Sequence, residues 1–291
     1  GNNKAKQLTK REKGFGYKLF WSPDSKKIAF IDETNDISII DVESGDVTIA
    51  GNTRWNTGHG GRFRFPISWA PDSKWITFTQ DLDNANGAIF VYNLEEKKQH
   101  QITKGFYNDS YPVFSTDGKY IFYLTNRSMN AAYSSMGDGT WIYPNSTQIA
   151  SLGLSQKTPS LLAAKNDTVA IKTEKKEEDK DEAKTEDKDG KEEKKKDGDK
   201  TEKKEEGVKV EIDFDNLEAR LVLLPPKAGN FSVLIPFENK LVYMRRPNTG
   251  SGERSSSLHF FDLKEREEKT IMENVSQATA TADRESMLIN S

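Results

Sequence analysis

The stretch Phe20-Trp-Ser-Pro-Asp-Ser-Lys-Lys-Ile-Ala-Phe30 returns without gaps as Ser68-Trp-Ala-Pro-Asp-Ser-Lys-Trp-Ile-Thr-Phe78 and as Val113-Phe-Ser-Thr-Asp-Gly-Lys-Tyr-Ile-Phe-Tyr123. The turn aspartates Asp24, Asp72 and Asp117 stand 48 and 45 residues apart. Each copy reads as a hairpin. Pro23 and Pro71 preset φ at the first central turn position, and Asp or Ser side chains bond nearby backbone groups. An aromatic strand precedes the turn and an alternating strand follows it, as in residues 27–32. Weaker copies occur at 236–243 and 282–289, with Glu238 and Asp283 again 45 residues apart. Later in each period comes a second strand pair, 37–41 with 46–49 and 88–92 with 100–103. Four strands in a period of about 40–45 residues is the pattern of a β-propeller blade.

The expected fold is therefore all-β, a propeller of four-stranded antiparallel blades. About six blades are represented, with both chain ends inside the ring. Blades are expected at 17–50, 65–103 and 111–162, then a fourth ending near Leu224, a fifth at 231–272 and a sixth from Ser276. The fourth rests on spacing. Asp117 and Glu238 are 121 residues apart, and removing a 35-residue charged block leaves 86, two periods of 43. Gln7-Leu8-Thr9 matches Gln101-Ile102-Thr103 and reads as the outer-strand end of a preceding blade.

The charged block, residues 173–207, holds 12 Lys, 16 Asp or Glu and one apolar side chain, Ala183. Nothing apolar offsets the ordering entropy, so a disordered insertion within one propeller domain spanning 1–291 is expected. Its charge of −4 leaves the other 256 residues at +1. Composition thus makes no case for nucleic acid or an anionic membrane as partner. No apolar run approaches the roughly 18 residues of a membrane span. The chain has no cysteine, which excludes thiolate and disulfide chemistry. A soluble protein is expected, and composition leaves its compartment open between periplasm and cytoplasm.

Chemistry-bearing motifs are sparse. His59, His100 and His259 lack a second ligand at metal-binding spacing, so neither metal nor cofactor is expected. The loop 81–87 departs from a calcium loop, with its glycine one place late and Tyr92 at the twelfth position. Gly250-Ser-Gly252 is not a nucleophile elbow, and no catalytic residue is assigned. Two loops stand out. Residues 54–65 mix three arginines with three aromatic rings and three glycines, and residues 126–143 form a long connection. From these, Arg62, Arg64, Tyr133 and Trp141 are the candidate peptide-binding side chains, through stacking and charge-assisted bonds. The alternative is that they pack over a blade edge or a neighbouring domain.

Three further segments carry a family resemblance. Ala5-Lys-Gln-Leu-Thr9 leading into the first repeat resembles the opening of the second propeller of tricorn-like serine proteases. Asn145-Ser-Thr-Gln-Ile149 with Lys157-Thr-Pro-Ser-Leu161 looks like that propeller's third blade. Val208-Lys-Val-Glu-Ile-Asp-Phe-Asp-Asn-Leu-Glu-Ala-Arg220 with Leu224-Pro-Pro-Lys-Ala-Gly-Asn230 is similar to a segment of this family and not of TolB propellers. The resemblance implies a large, oligomeric peptide-trimming enzyme, in which two propellers precede a PDZ-like module and a Ser, His and Glu catalytic core. None of those catalytic motifs maps onto this chain. The resemblance thus implies a non-catalytic propeller that controls peptide access, with peptides or the enzyme's own peptidase domains as partners. The alternative is a free-standing TolB-like protein-binding propeller. The cap of a prolyl-oligopeptidase-type enzyme fits the repeat but not residues 208–230.

Overall fold

The computed structural model describes residues 5, 7–9, 14–54, 58–129, 131–134, 139–165 and 208–291. The chain divides into a unit of Gly1–Ala163 with Val208–Ser291 and a second of Ala164–Gly207. In the second, Ala164 and Lys165 alone are described, so the disorder expected of 173–207 lies outside the described residues.

The first sheet is β1 (Gly16–Trp21), β2 (Lys27–Asp32), β3 (Asp36–Asp41) and β4 (Val47–Asn52), paired in that order. A short helix, α1 (Gly58–Arg64), leads to the second sheet, β5 (Ile67–Trp69), β6 (Trp75–Asp81), β7 (Gly87–Asn93) and β8 (Lys98–Gln101). The third begins with β9 (Asp109–Phe114) and β10 (Tyr120–Thr125). A separate hairpin of β11 (Ala132–Ser134) and β12 (Thr140–Ile142) follows, then β13 (Gln148–Gly153) and, beyond the charged block, β14 (Leu221–Leu223). The fourth sheet is β15 (Asn230–Pro236), β16 (Lys240–Arg246), β17 (Ser256–Asp262) and β18 (Glu268–Val275), and β19 (Gln277–Ala280) pairs with β20 (Met287–Asn290). Every pairing is antiparallel, as expected of propeller blades.

Among the described residues the fourth blade expected from spacing is not formed. β14 pairs with β13, Ala150 opposite Leu223 and Leu152 opposite Leu221, and so completes the third sheet. Asp117 and Glu238 stand one described sheet apart, and the β11–β12 hairpin and the length of sequence between β13 and β14 account for their wide spacing. The described residues therefore form four complete blades and a two-stranded start of another, not about six.

Strand alternation assembles the core between blades. Successive side chains point to opposite faces, so each central strand feeds two interfaces. In β10, Ile121 and Tyr123 pack against the second sheet, while Tyr120, Phe122 and Leu124 pack against the fourth. In β7, Ala88, Phe90 and Tyr92 face the first sheet, and Ile89 and Val91 face the third. This is why β7 and β10 are buried along their whole length. Burying one such side chain contributes roughly 1.5–3 kcal/mol. Leu8 packs on Ile28, Phe30 and Ile40 of the first sheet, as Ile102 packs against the third. Gln7 Nε2 donates to Thr9 O, and Gln101 Nε2 donates to Thr103 O, at 2.8 Å in each case.

The hydrophobic segment behind the charged block acts as a strap. Val210 and Leu217 are buried between the second and third sheets, and Phe214 stacks on His100 of β8 with centroids 4.1 Å apart. Val210 N donates to Asp72 Oδ2 at 3.0 Å. Arg220 closes the strap by donating to the carbonyls of Gly153, Leu154, Asp213 and Asp215.

The first strands of successive sheets lie side by side: β1 by β5, β5 by β9, β9 by β15, and β15 by β19. This is the arrangement of strands around a propeller's central axis. Their registers, Gly16 opposite Asp32 and Asp109 opposite Thr125, give the blades two distinct ends. One holds the repeated hairpin turns and is called the turn face. The other holds α1, the β11–β12 hairpin and the starts of the first strands, and is called the loop face.

Candidate functional site

On the turn face the repeat is a hydrogen-bond device. Ser22 Oγ donates to Asp24 Oδ1 at 2.6 Å, and Lys26 N donates to the same oxygen at 3.1 Å. Ser115 and Asp117 repeat this at 2.6 Å, with Lys119 N at 3.1 Å. Thr281 and Asp283 repeat it at 2.5 Å, with Glu285 N at 3.0 Å. The residue after each aspartate, Ser25, Gly118 or Arg284, takes a left-handed φ of 59°, 68° or 60°. Asp72 lacks the hydroxyl partner because Ala70 replaces it, and binds Lys74 N and the strap instead. Burial works against ionisation of Asp24. The Ser22 hydroxyl and Lys26 N–H outweigh it and hold the carboxyl below its ordinary range. These carboxylates are structural, as turn chemistry requires.

The loop face is built differently. α1 contains Gly58, Gly60 and Gly61, a poor helix composition, and tertiary bonds hold it. Arg62 Nε donates to Asn35 Oδ1 at 2.9 Å and its Nη2 to Glu33 O at 2.8 Å, fixing the helix on the β2–β3 turn. Its guanidinium also lies 5.7 Å from the Tyr17 ring. Of the two candidate arginines, Arg62 is thus anchored in the scaffold. Arg64 is exposed, and its Nε bonds to Gly60 O at 3.1 Å.

Arg64 lines a cavity of about 290 Å³ to which three blades contribute. Phe65 and Pro66 form an apolar wall. Thr53 Oγ1 donates to Asp81 Oδ2 at 2.6 Å across the first two blades, and both residues line the space. Ser110 and Tyr111 enter from β9, where Tyr111 takes φ 55° at a bulge between the ladder pairs. Thr79 Oγ1 is buried in the wall without a hydrogen-bond partner among the described residues. A buried hydroxyl left unbonded is uncommon in folded proteins.

Beside the cavity, Asp109 opens β9. Burial pushes its carboxyl up, and the Thr125 and Thr103 hydroxyls and the Arg127 guanidinium, 4.0 Å away, oppose the shift. Arg127 in turn lies 4.4 Å over the Tyr107 ring. Farther out, Tyr133 and Trp141 pair across the β11–β12 hairpin with centroids 5.5 Å apart, each 61% exposed. Phe63, Phe106, Met129 and Tyr143 are exposed on the same face. The structure thus brings Tyr133 to Trp141 and puts Arg62 and Arg64 on one helix. Among the described residues no hydrogen bond or ring contact joins the two pairs.

The other candidates resolve into scaffold. In the 81–87 loop, Asp81 binds Thr53, Asp83 pairs with Arg54 at 2.6 Å, and Asn84 and Asn86 donate to Gly105 O. His100 is packed between Trp75 and Phe214, and His259 stacks on Tyr243 with Ser257 Oγ 2.8 Å from its Nε2. Burial lowers the pKa of each imidazole. The side chain of His59 lies outside the described residues. The cavity itself escaped sequence reasoning because its wall comes from three blades. The nearest local signal was Arg64.

Comparison with known proteins matches residues 1–291 to the family model described as the tricorn protease second beta propeller domain. Among solved structures, the chain is similar to the tricorn protease, with TM-score 0.67 and 17% identity over 94% of this chain and 24% of that one. TolB from Acinetobacter baumannii gives TM-score 0.50 and 14% identity, covering 89% of this chain and 44% of that one. An oligogalacturonate lyase in complex with manganese gives TM-score 0.52 and 8% identity, over 97% and 60%. At these identities the likeness shows the fold alone. The chain spans about a quarter of the tricorn protease chain it matches. No curated protein sequence matches it.

Proposed function

The chain belongs to the family of the tricorn protease second β-propeller domain, and from that premise we propose that it is a non-catalytic peptide-handling module of a larger serine peptidase. In this reading the loop face engages peptides and governs which of them reach a catalytic core elsewhere. One observation supports it above the rest, the unequal division of side chains between the two faces. Exposed aromatic groups and the arginines of α1 gather on the loop face, beside the starts of the first strands. Stacking and charge-assisted bonding suit extended peptides of varied sequence.

Hydrolysis needs an activated nucleophile, a base within reach and donors for an oxyanion. Ser257 and His259 come within 2.8 Å, but Glu268 already accepts Tyr243 Oη and Arg245 Nε, each at 2.7 Å. That network is read as scaffold on the fourth blade. The test compares this chain with the full-length protein against a mixed fluorogenic peptide library. The reading expects turnover from the full-length protein alone. Turnover by this chain that survives repurification and responds to a serine-directed inhibitor would overturn it. In the full-length protein, Trp141→Ala is expected to change which peptides are cut. An unchanged cleavage profile would remove the hairpin from peptide selection, and a full-length protein without peptide turnover would favour a free-standing binding propeller of the TolB kind.

A further inference from the structure

The strap behind the charged block joins the two faces. At its start Val210 N donates to Asp72 Oδ2 on the turn face. At its end Glu218 Oε1 accepts Lys104 N at 3.0 Å, and Glu218 Oε2 lies 3.6 Å from Lys104 Nζ. Lys104 begins the loop-face connection from the second blade to β9. Midway along the strap one contact can titrate near neutral pH. Phe214 stacks on the His100 ring at 4.1 Å and 14°, and Trp75 lies 6.3 Å from the same ring. His100 Nε2 is buried without a hydrogen-bond partner among the described residues. A neutral imidazole tolerates such a place better than an imidazolium, which carries N–H on both nitrogens and a charge besides. Of the charged groups near the ring, Lys98 of β8 opposes protonation and Glu96 of the preceding turn favours it. Glu96 Oε2 stands 4.0 Å from Nε2, beyond hydrogen-bond reach. β6 and the strap meet the ring with Trp75 and Phe214, which carry no charge. Beside Phe214, Asp213 is held by Ser155 Oγ and Gln156 N, and Asp215 flanks it on the other side. Burial is the largest influence, and the imidazole is held below its ordinary 6.5.

We propose that His100 makes the strap an acid-sensitive latch, in which one proton on the ring breaks its stack with Phe214 and frees the Lys104 amide from Glu218. Acidification then loosens the connection that leads to β9. Because the closed state favours the neutral ring, its hold is full above about pH 6.5 and weakens as pH falls through the lowered value. Buried Leu217 keeps the latch shut in most molecules at either pH. The proton changes how often it opens, as expected of a local opening equilibrium. The latch works whatever the loop face binds.

Amide hydrogen exchange on this chain at about pH 7.5 and about pH 5.5, each referred to the intrinsic rate at that pH, tests the latch; both lie above the ordinary carboxylate range. One proton on an opened ring of ordinary pKa 6.5 lets opening rise severalfold at the lower pH, with a ceiling of about tenfold. That rise is expected across residues 213–218 and at the Lys104 amide, and not in β7. His100→Phe keeps an aromatic ring in the stack and is expected to abolish the rise. If that variant fails to fold, an NMR titration of His100 in the unaltered chain still decides, with a midpoint expected below 6.5. A midpoint at or above that value would overturn the proposal. So would opening that ignores pH, an equal rise in His100→Phe, or a rise in the strap without one at Lys104. A strap that tightens in acid, as stacking of an imidazolium on Phe214 would give, would overturn it as well.

Discussion

At the turn face, Asp24, Asp117 and Asp283 repeat one set of bonds, each taking a hydroxyl two residues before it and an amide two residues after. A second repeat lies on the same face. Asp41, Asn93 and Asp262 each accept the amides two and three residues on, closing the turns after β3, β7 and β17. Among the described residues the loop face repeats no set of side-chain bonds over three blades, although tight turns close both the β2–β3 and the β6–β7 connections. It holds a glycine-rich helix after the first blade, a tight turn in the second, an aromatic hairpin in the third and a serine-rich loop in the fourth. Repetition marks the end where the chain solves one folding problem several times. Divergence marks the end where each connection is free to do something else, as functional loops on rigid scaffolds do.

The comparison breaks if the loop face proves as necessary to stability as the other end. The largest effect is expected at the strap. Leu217→Ala removes a buried side chain between the second and third blades and should destabilise by about 2–5 kcal/mol. Trp141→Ala, on the exposed hairpin, should stay within about 0.5 kcal/mol. Urea unfolding of the two variants measures both, and a similar cost for each would abolish the distinction.

A smaller effect is expected at the repeated turns. Asp117→Ala loses the Ser115 hydroxyl and Lys119 amide bonds and should cost about 1 kcal/mol. Peptide cleavage per folded molecule of the full-length protein should not change. Lost cleavage at full stability would move recognition to the turn face.

Acid sharpens the same contrast. Asp41 is held at about 2, against an ordinary 3.8, first by its bond from Lys27 and then by the Ser44 amide. Asp24 and Asp283 are also held low, Asp283 chiefly by the Thr281 hydroxyl. Because the folded pKa lies below the unfolded one, this stabilisation is complete above about pH 4 and is lost as pH falls toward about 2. Urea midpoints followed across that range should fall, and Asp41→Asn should flatten the slope. A slope unchanged by the variant would show that Asp41 contributes nothing to it.

The smallest effect concerns the charged block. Deleting residues 174–206 removes a single apolar side chain, Ala183, so the melting temperature should barely change. A fall of about ten degrees or more, several kcal/mol for a domain of this size, would show that the block packs.

The turn repeat was legible in the sequence because its partners lie within five residues of one another. Thr281 extends the repeat to the last described hairpin, although Ala282 stands where Pro23 and Pro71 stand in the first two. The third blade was legible in its first hairpin, β9 with β10, but not in its extent. β14 is supplied from beyond the charged block, and a fixed period cannot separate one stretched blade from two short ones. α1 was missed because glycine opposes helix formation, and the bonds that hold it, from Arg62 to Asn35 and Glu33, cross 27 and 29 residues. Of the four candidate side chains, Arg64 lines the cavity, Arg62 is anchored in the scaffold, and Tyr133 and Trp141 pair on the hairpin. Thr79, Asp81 and Ser110 carry no local motif. Their common site arises from packing of blades, which spacing along the chain does not encode.

The most direct test of the division between faces is amide hydrogen exchange on this chain, with and without a saturating unstructured peptide of about ten residues. Slower exchange is expected across 58–65, 104–111 and 126–143, with no change across the turn hairpins at 22–27, 70–75 and 115–120. Protection centred on those hairpins, or none on the loop face, would contradict the account.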